Sequence, residues 1–229
     1  MQKCDAYINS GQLFLCNTSL PENVRQDVLR SSLLAQMAAD KTSHLSVAHW
    51  HNQYNNGLLR SQWIRKSITT QHSRFNLEQY SCSELILSFI VSPALKEACQ
   101  QSLQNLGKPI NEAALTAWRQ AIVKLANTDK HNQKLGLWLE FVYVESITHI
   151  TTVSILLEGV DCPTGDNWLN EKLSSKVPTA EIVVQTNLFQ LKSSYDAIRK
   201  QVLTKLGEWP QKLTFAIETN QTDPSALSV

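Results

Sequence analysis

Apolar and polar positions alternate most regularly between Leu135 and Asp161, where LGLWLEFVYVESITHITTVSILLEGVD reads as two long strands back to back. Over Leu137–Val144 the pattern puts Leu137, Leu139, Phe141 and Tyr143 on one face, and Trp138, Val142 and Val144 with Glu140 on the other. Two largely apolar faces predict a central strand, covered on both sides. The next stretch, from about His149 to Val160, carries Val153, Ile155 and Leu157 on one side. Ile150, Leu156 and Val160 share the other with Thr152, Ser154 and Glu158, so it reads as a half-covered neighbour. Only Glu145–Thr148 separates the two stretches, too short a connection for a crossover, and the pair is therefore antiparallel.

Upstream the period is mostly helical. Ser19 and Glu22 stand at capping-box spacing around Pro21, and Val24, Val28, Leu29, Leu33, Met37 and Ala38 carry a helix to about Asp40. A second helix follows over Val47–Arg60, with Trp50, Tyr54 and Leu58 on its apolar side, then a strand over Gln62–Gln71. From Leu77 to Ala126 the pattern is helical again. Cys82, Leu85, Ile86, Phe89 and Ile90 form a first stripe; Ser92-Pro93 starts a helix through Leu95, Cys99, Leu103 and Leu106 to Gly107. Asn111 caps a third, with Leu115, Trp118, Ile122 and Leu125 inward, and the polar loop Asn127–Lys134 leads into the paired strands.

After them come a turn cluster at Cys162–Asn167, an irregular connection over Trp168–Val177 and a strand over Ile182–Leu191. A helix from about Ser194 to Leu206, stopped by Gly207, and a last strand over Lys212–Thr219 complete the order, with a loose end from about Gln221. Segregated helices and strands predict an α+β fold: an antiparallel sheet of about four to five strands with helices packed on it. The expected organisation is one domain over residues 1–229, with an ordered core over about 13–219.

Composition adds bounds. The 229 residues can bury a sizeable core, and 42% hydrophobic against 18% charged residues suits a globular chain. A net charge of +1, from 21 basic and 20 acidic residues, leaves no electrostatic footprint for nucleic acid. No apolar segment at the start reads as a signal peptide, and no run approaches the ~20 residues of a spanning helix. The expectation is a soluble protein, cytoplasmic as synthesised, for which export by a signal-less route stays open. Five widely spaced cysteines without a C-x-x-C pair predict reduced thiols.

Candidate chemistry is sparse. His44, His49 and His51 cluster in sequence, but residues two apart on a helix point about 200° from each other, so His49 and His51 read as a solvated helix edge. There is no G-x-S-x-G elbow and no glycine loop to cradle phosphate. Glu140 and Glu158, carboxylates on otherwise apolar strand faces beside Trp138, are pocket candidates, and Cys82 with His72 is one pair among many for an enzyme without a recognisable motif. The Leu85–Ile90 stripe also fits a membrane-surface helix, although the same spacing is what packing on a sheet requires.

The run Leu33-Leu34-Ala35-Gln36-Met37-Ala38-Ala39-Asp40-Lys41, followed by Trp50, Tyr54, Leu58 and Trp63, resembles a pattern of small bacterial and fungal proteins that include the Evf-like virulence factors. The resemblance extends over roughly residues 13–207, through the helical middle, the paired strands and Ala180–Leu206. It implies a soluble α/β body and, since one member carries a fatty acid on cysteine, a covalently bound fatty acid. Cys162, at the end of a core strand in the later half, is the acylation candidate here.

Three functions follow. The first is a non-catalytic virulence or host-interaction factor whose interior holds a lipid or S-acyl chain, with no other cofactor. The second is a membrane-active toxin using the 77–126 helices. The third is an enzyme built on Glu140, Glu158 or Cys82. The partners implied are a fatty acid or membrane lipid, with no nucleic acid.

Overall fold

The chain is described by a computed structural model over residues 3–41, 46–75, 79–127, 133–158, 160, 165, 167–173 and 180–219. Its centre is β5 (Gln133–Ser146), whose alternation holds: Leu137, Leu139, Phe141 and Tyr143 enter one core, and Trp138, Val142 and Val144 the other. On one edge of β5 lies β6 (His149–Glu158), antiparallel, closed by a turn in which Ser146 pairs with His149. Its other edge is shared. β4 (Val123–Asn127) runs antiparallel along Gln133–Leu137, and β2 (Gln12–Asn17) runs parallel along Glu140–Val144.

The sheet is larger than its alternating segments predict, and mixed in direction. β1 (Cys4–Asn9) pairs with β2, β3 (Trp63–Phe75) with β7 (Ala180–Leu191), and β8 (Thr214–Ala216) with β1. Among the described residues eight strands result, seven of them in the order β3-β7-β6-β5-β2-β1-β8 with β4 attached to β5, in place of the expected four to five antiparallel strands. The shortfall has two causes. The first is the hairpin β1–β2, which turns at Ser10-Gly11, with Ser10 in the left-handed region at φ 54°. The second is β4, which occupies residues whose apolar period continues the preceding helix through Leu125; Val123 turns extended at ψ 117° because the β5 edge offers backbone partners.

Helices cover both faces. α1 (Glu22–Asp40), α2 (Val47–Arg60) and α6 (Tyr195–Leu206) pack over Trp138, Val142, Ile150, Leu156 and Phe189. On the opposite face, α3 (Cys82–Ser88), α4 (Pro93–Leu106) and α5 (Glu112–Ile122) pack over Leu137, Leu139, Phe141, Ile155 and Ile182. Val160 joins this second core rather than the face of Ile150 and Leu156, because the chain has left the strand by then. A short α7 (Trp209–Leu213) leads into β8. α1 starts without the expected capping box, since the Ser19 hydroxyl donates to Asn17 instead; the reciprocal box occurs at α3, between Ser81 and Glu84.

The layer of α1 and α2 is held at close range by a glycine. A methyl group on Gly57 of α2 would lie 2.9 Å from both Cα and Cβ of Ala35 in α1, inside any normal contact. Neither Ala35 atom can rotate aside. We expect Gly57→Val to lower stability by about 2–3 kcal/mol through forced separation of the two helices, read as a lowered urea midpoint at unchanged slope.

Candidate functional site

Beneath α1 and α2 the interior is polar at one place, and Glu140 is its centre. The pleat of β5 aims this side chain at the helices with none of its surface exposed. Its Oε1 accepts from Gln12 Nε2 of β2 at 2.6 Å and from the Tyr54 hydroxyl of α2 at 3.0 Å, and its Oε2 accepts from Ser154 Oγ of β6 at 2.5 Å. Gln12 carries the chain onward. Its Oε1 accepts from Ser32 Oγ at 2.5 Å and from Gln36 Nε2 at 2.7 Å, both on α1. Gln36 also donates to the Asn9 carbonyl and accepts from the Gly11 amide, both at 3.0 Å, and Asn9 binds the Leu29 carbonyl and the Thr214 hydroxyl.

One connected network thus pins both helices to strands β1, β2, β5, β6 and β8. Trp138 walls it, with its ring 4.2 Å from that of Trp50 and 5.3 Å from that of Tyr54, centre to centre. Burial pushes the Glu140 carboxyl up to about 7, against the pull of its hydrogen-bond donors. Burial, then the neighbouring Glu140, raises the Tyr54 hydroxyl well above its ordinary range. A titratable group near neutrality is what general acid–base chemistry needs, but a substrate must also reach it. With Glu140, Gln12 and Ser154 fully enclosed, this arrangement joins layers.

Glu158 sits elsewhere. It is exposed at the end of β6, lining an open groove of about 340 Å³ with Val47, His51, Asn52, Val183 and Gln185. The two carboxylates are therefore not brought into one pocket. His51 corrects the expected solvated edge: it is 1% exposed, its backbone carbonyl accepts from Asn55, and burial, then Arg65, pushes its imidazole down to about 3. Among the described residues no cluster of three or more His, Cys, Asp or Glu could hold a metal ion, and no helix is long and apolar enough to cross a membrane. Cys82 is enclosed within α3 while His72 is exposed on β3. Cys162 and His44 lie outside the described residues.

The feature that sequence reasoning missed is a cleft of about 490 Å³ between α1, α2 and α6. Leu34, Met37, Ala38, Ile198 and Val202 contribute its apolar surface, and Gly57 lets α1 and α2 approach along it. Lys41, Arg60 and Lys205, each at the last turn or just past the end of its helix, supply cations, and among the described residues no acidic side chain lines it. α6 is held in place by Arg199, whose Nε and Nη2 donate to the two oxygens of buried Asp27 on α1 at 2.9 and 2.6 Å. Each helix shows its cation in sequence, but only the tertiary arrangement gathers the three.

No protein-family model matches the sequence, and no curated protein is detectably similar to it. Solved structures share the arrangement weakly. The activated Cyt2Ba monomer from Bacillus thuringiensis subsp. israelensis is 12% identical with a TM-score of 0.41, covering 81% of this chain and 100% of its own. A delta-endotoxin is 11% identical at 0.39, covering 80% of this chain and 81% of its own. The Evf virulence factor is 11% identical at 0.34, covering 92% of this chain and 84% of its own. The chain thus has a weak, low-identity structural similarity to the Evf virulence factor, as its sequence pattern implied, and to bacterial toxin folds.

Proposed function

We propose that this is a non-catalytic protein that binds a single-chain anionic lipid, a fatty acid in the simplest case, in the cleft between α1, α2 and α6. The observation that carries this reading is the pairing of apolar side chains with Lys41, Arg60 and Lys205, with no carboxylate among the described lining residues. A fatty acid presents the matching halves, an alkyl chain and one carboxylate. The volume of about 490 Å³ falls within the usual size of small-molecule sites. Burying about eight methylenes contributes about 6 kcal/mol, enough for binding in the range of tens of micromolar. The host-interaction setting belongs to the same proposal and rests on the sequence resemblance alone. Its covalent version, a fatty acid on Cys162, is checked by the intact mass of protein from its native source.

A dansyl-labelled fatty acid displaced by palmitate is the direct assay. We expect saturable binding that the Lys41→Glu, Arg60→Glu, Lys205→Glu triple variant weakens about tenfold or more. Ala38→Trp, at an exposed position on the cleft wall, should occupy the space and abolish binding. Equal affinity in all three proteins would discard the site. The membrane-active alternative draws on the 77–126 helices, whose Leu85, Ile86, Ile90 and Leu103 are spent in the core beneath them. Release of dye from anionic liposomes by the native protein would revive it.

A further inference from the structure

β3 ends the sheet among the described strands, where β7 is its sole strand partner. Lys66 through His72 are exposed at seven consecutive positions. In a strand successive side chains point to opposite faces, so seven in a row means that neither helix layer covers this segment. From Lys66 to Gln71 it projects as a rim of backbone donors and acceptors beside its ladder with β7. Its composition is that of a strand that pairs well: Ile64, Ile68, Thr69 and Thr70, without proline or glycine between Trp63 and Phe75. Ile68 leaves 46% of its surface to solvent.

The charge along this rim has one sign. Arg65, Lys66 and Arg74 lie within Trp63–Phe75, and no aspartate or glutamate does; across the ladder, Glu181 of β7 stands opposite Arg74. Arg65 is part-buried, with its guanidinium carbon 5.5 Å from the centre of the Phe189 ring, and its buried Nε finds no hydrogen-bond partner among the described residues. Exposed edges are a hazard that proteins blunt with a bulge and a lysine, and this one has both, since the register shifts at Lys66. Those devices act against a second copy of the same strand. Full antiparallel overlap of two β3 strands sets Arg65 opposite Ser73 and Lys66 opposite His72, and slips of one and two residues set Arg65 and then Lys66 opposite Arg74, where like charges repel. They do not act against an oppositely charged strand.

We infer that the outer edge of β3 is a docking strand for an acidic, extended segment of a partner protein, which adds to the sheet through main-chain hydrogen bonds while its carboxylates meet Arg65, Lys66 and Arg74. The site is independent of the lipid cleft, which lies among α1, α2 and α6.

The test uses the full chain and a fluorescent synthetic peptide alternating glutamate with valine, titrated by anisotropy at low salt, with amide shifts mapped by NMR. Saturable binding is expected, with shifts centred on β3. The Lys66→Glu, Arg74→Glu double variant, exposed at both positions and checked for native circular dichroism, should weaken it about tenfold or more. N-methylation of alternate peptide residues should weaken it as much, which charge attraction alone would not. Three results would overturn the proposal: no binding of the glutamate peptide, equal binding of its lysine-for-glutamate or N-methylated counterpart, or shifts that map away from β3. So would a stable dimer of the free protein with protected β3 amides, since a second copy would then hold the edge.

Discussion

Glu140→Gln gains stability on the wild type as the solution becomes alkaline. The native carboxyl is raised from 4.5 to about 7 by burial, so the folded protein binds this proton more tightly than the unfolded chain does. Below about 4.5 both forms hold the proton and nothing is lost. Between 4.5 and about 7 the unfolded chain releases it first, stability falls as pH rises, and above about 7 the loss is complete. At about 1.4 kcal/mol per pH unit the gap amounts to about 3 kcal/mol. Glutamine keeps the shape and removes the titration. Urea denaturation of both proteins at about pH 4 and pH 8.5 should show the difference between them moving by about 3 kcal/mol in favour of the variant. A difference that does not change with pH would mean that Glu140 is not the titrating group. Glu140→Ala should behave differently, costing about 3–5 kcal/mol, because Gln12, Tyr54 and Ser154 would then face a void.

His51 acts in the opposite sense. Burial holds its imidazole at about 3 instead of 6.5, so it stays neutral in the native protein while the unfolded chain gains a proton on acidification. Its contribution is intact above 6.5 and is lost as pH falls toward 3. Between about pH 7 and pH 4.5 the wild type should therefore lose about 3 kcal/mol more than His51→Gln, whose side chain does not titrate. The window overlaps that of Glu140, so the wild-type curve partly cancels and only comparison with each single variant separates them. Equal acid sensitivity in His51→Gln and the wild type would place the titration elsewhere. Both residues lie under the same helices, so their opposed slopes cancel between about 4.5 and 6.5 and confine the firmest docking of that layer to this mildly acidic band.

Local pattern carried the centre of the fold well. The two-faced run at Leu137–Val144 is legible because both cores draw on one strand, and α2 because Val47, Trp50, Tyr54 and Leu58 recur at helical spacing. That same spacing places His51 on the buried side, four residues after Val47 and three before Tyr54, and was the signal that could have corrected its reading. The N-terminal hairpin was partly visible too, as Ser10-Gly11 between apolar pairs, but its strands are only six residues each. What no local pattern contains is the parallel ladder of β2 on β5, which brings Gln12 to Glu140 across 128 positions. Glu140 was recognisable as anomalous on its strand; its partners are tertiary facts. The cleft between α1, α2 and α6 is tertiary in the same way, since Lys205 reaches it only once α6 has docked against α1.

The placement of the N-terminal hairpin has a consequence for biosynthesis. β1 and β2 are synthesised before the other strands of the sheet, yet in the finished sheet they stand between β5 and β8, which are made more than a hundred residues later. Contacts so distant in sequence close slowly, and until they close the hairpin exposes two bare edges. A nascent chain therefore carries this hairpin unpaired on both sides until β5 and β8 have been made, an interval in which its edges can pair with the wrong strand.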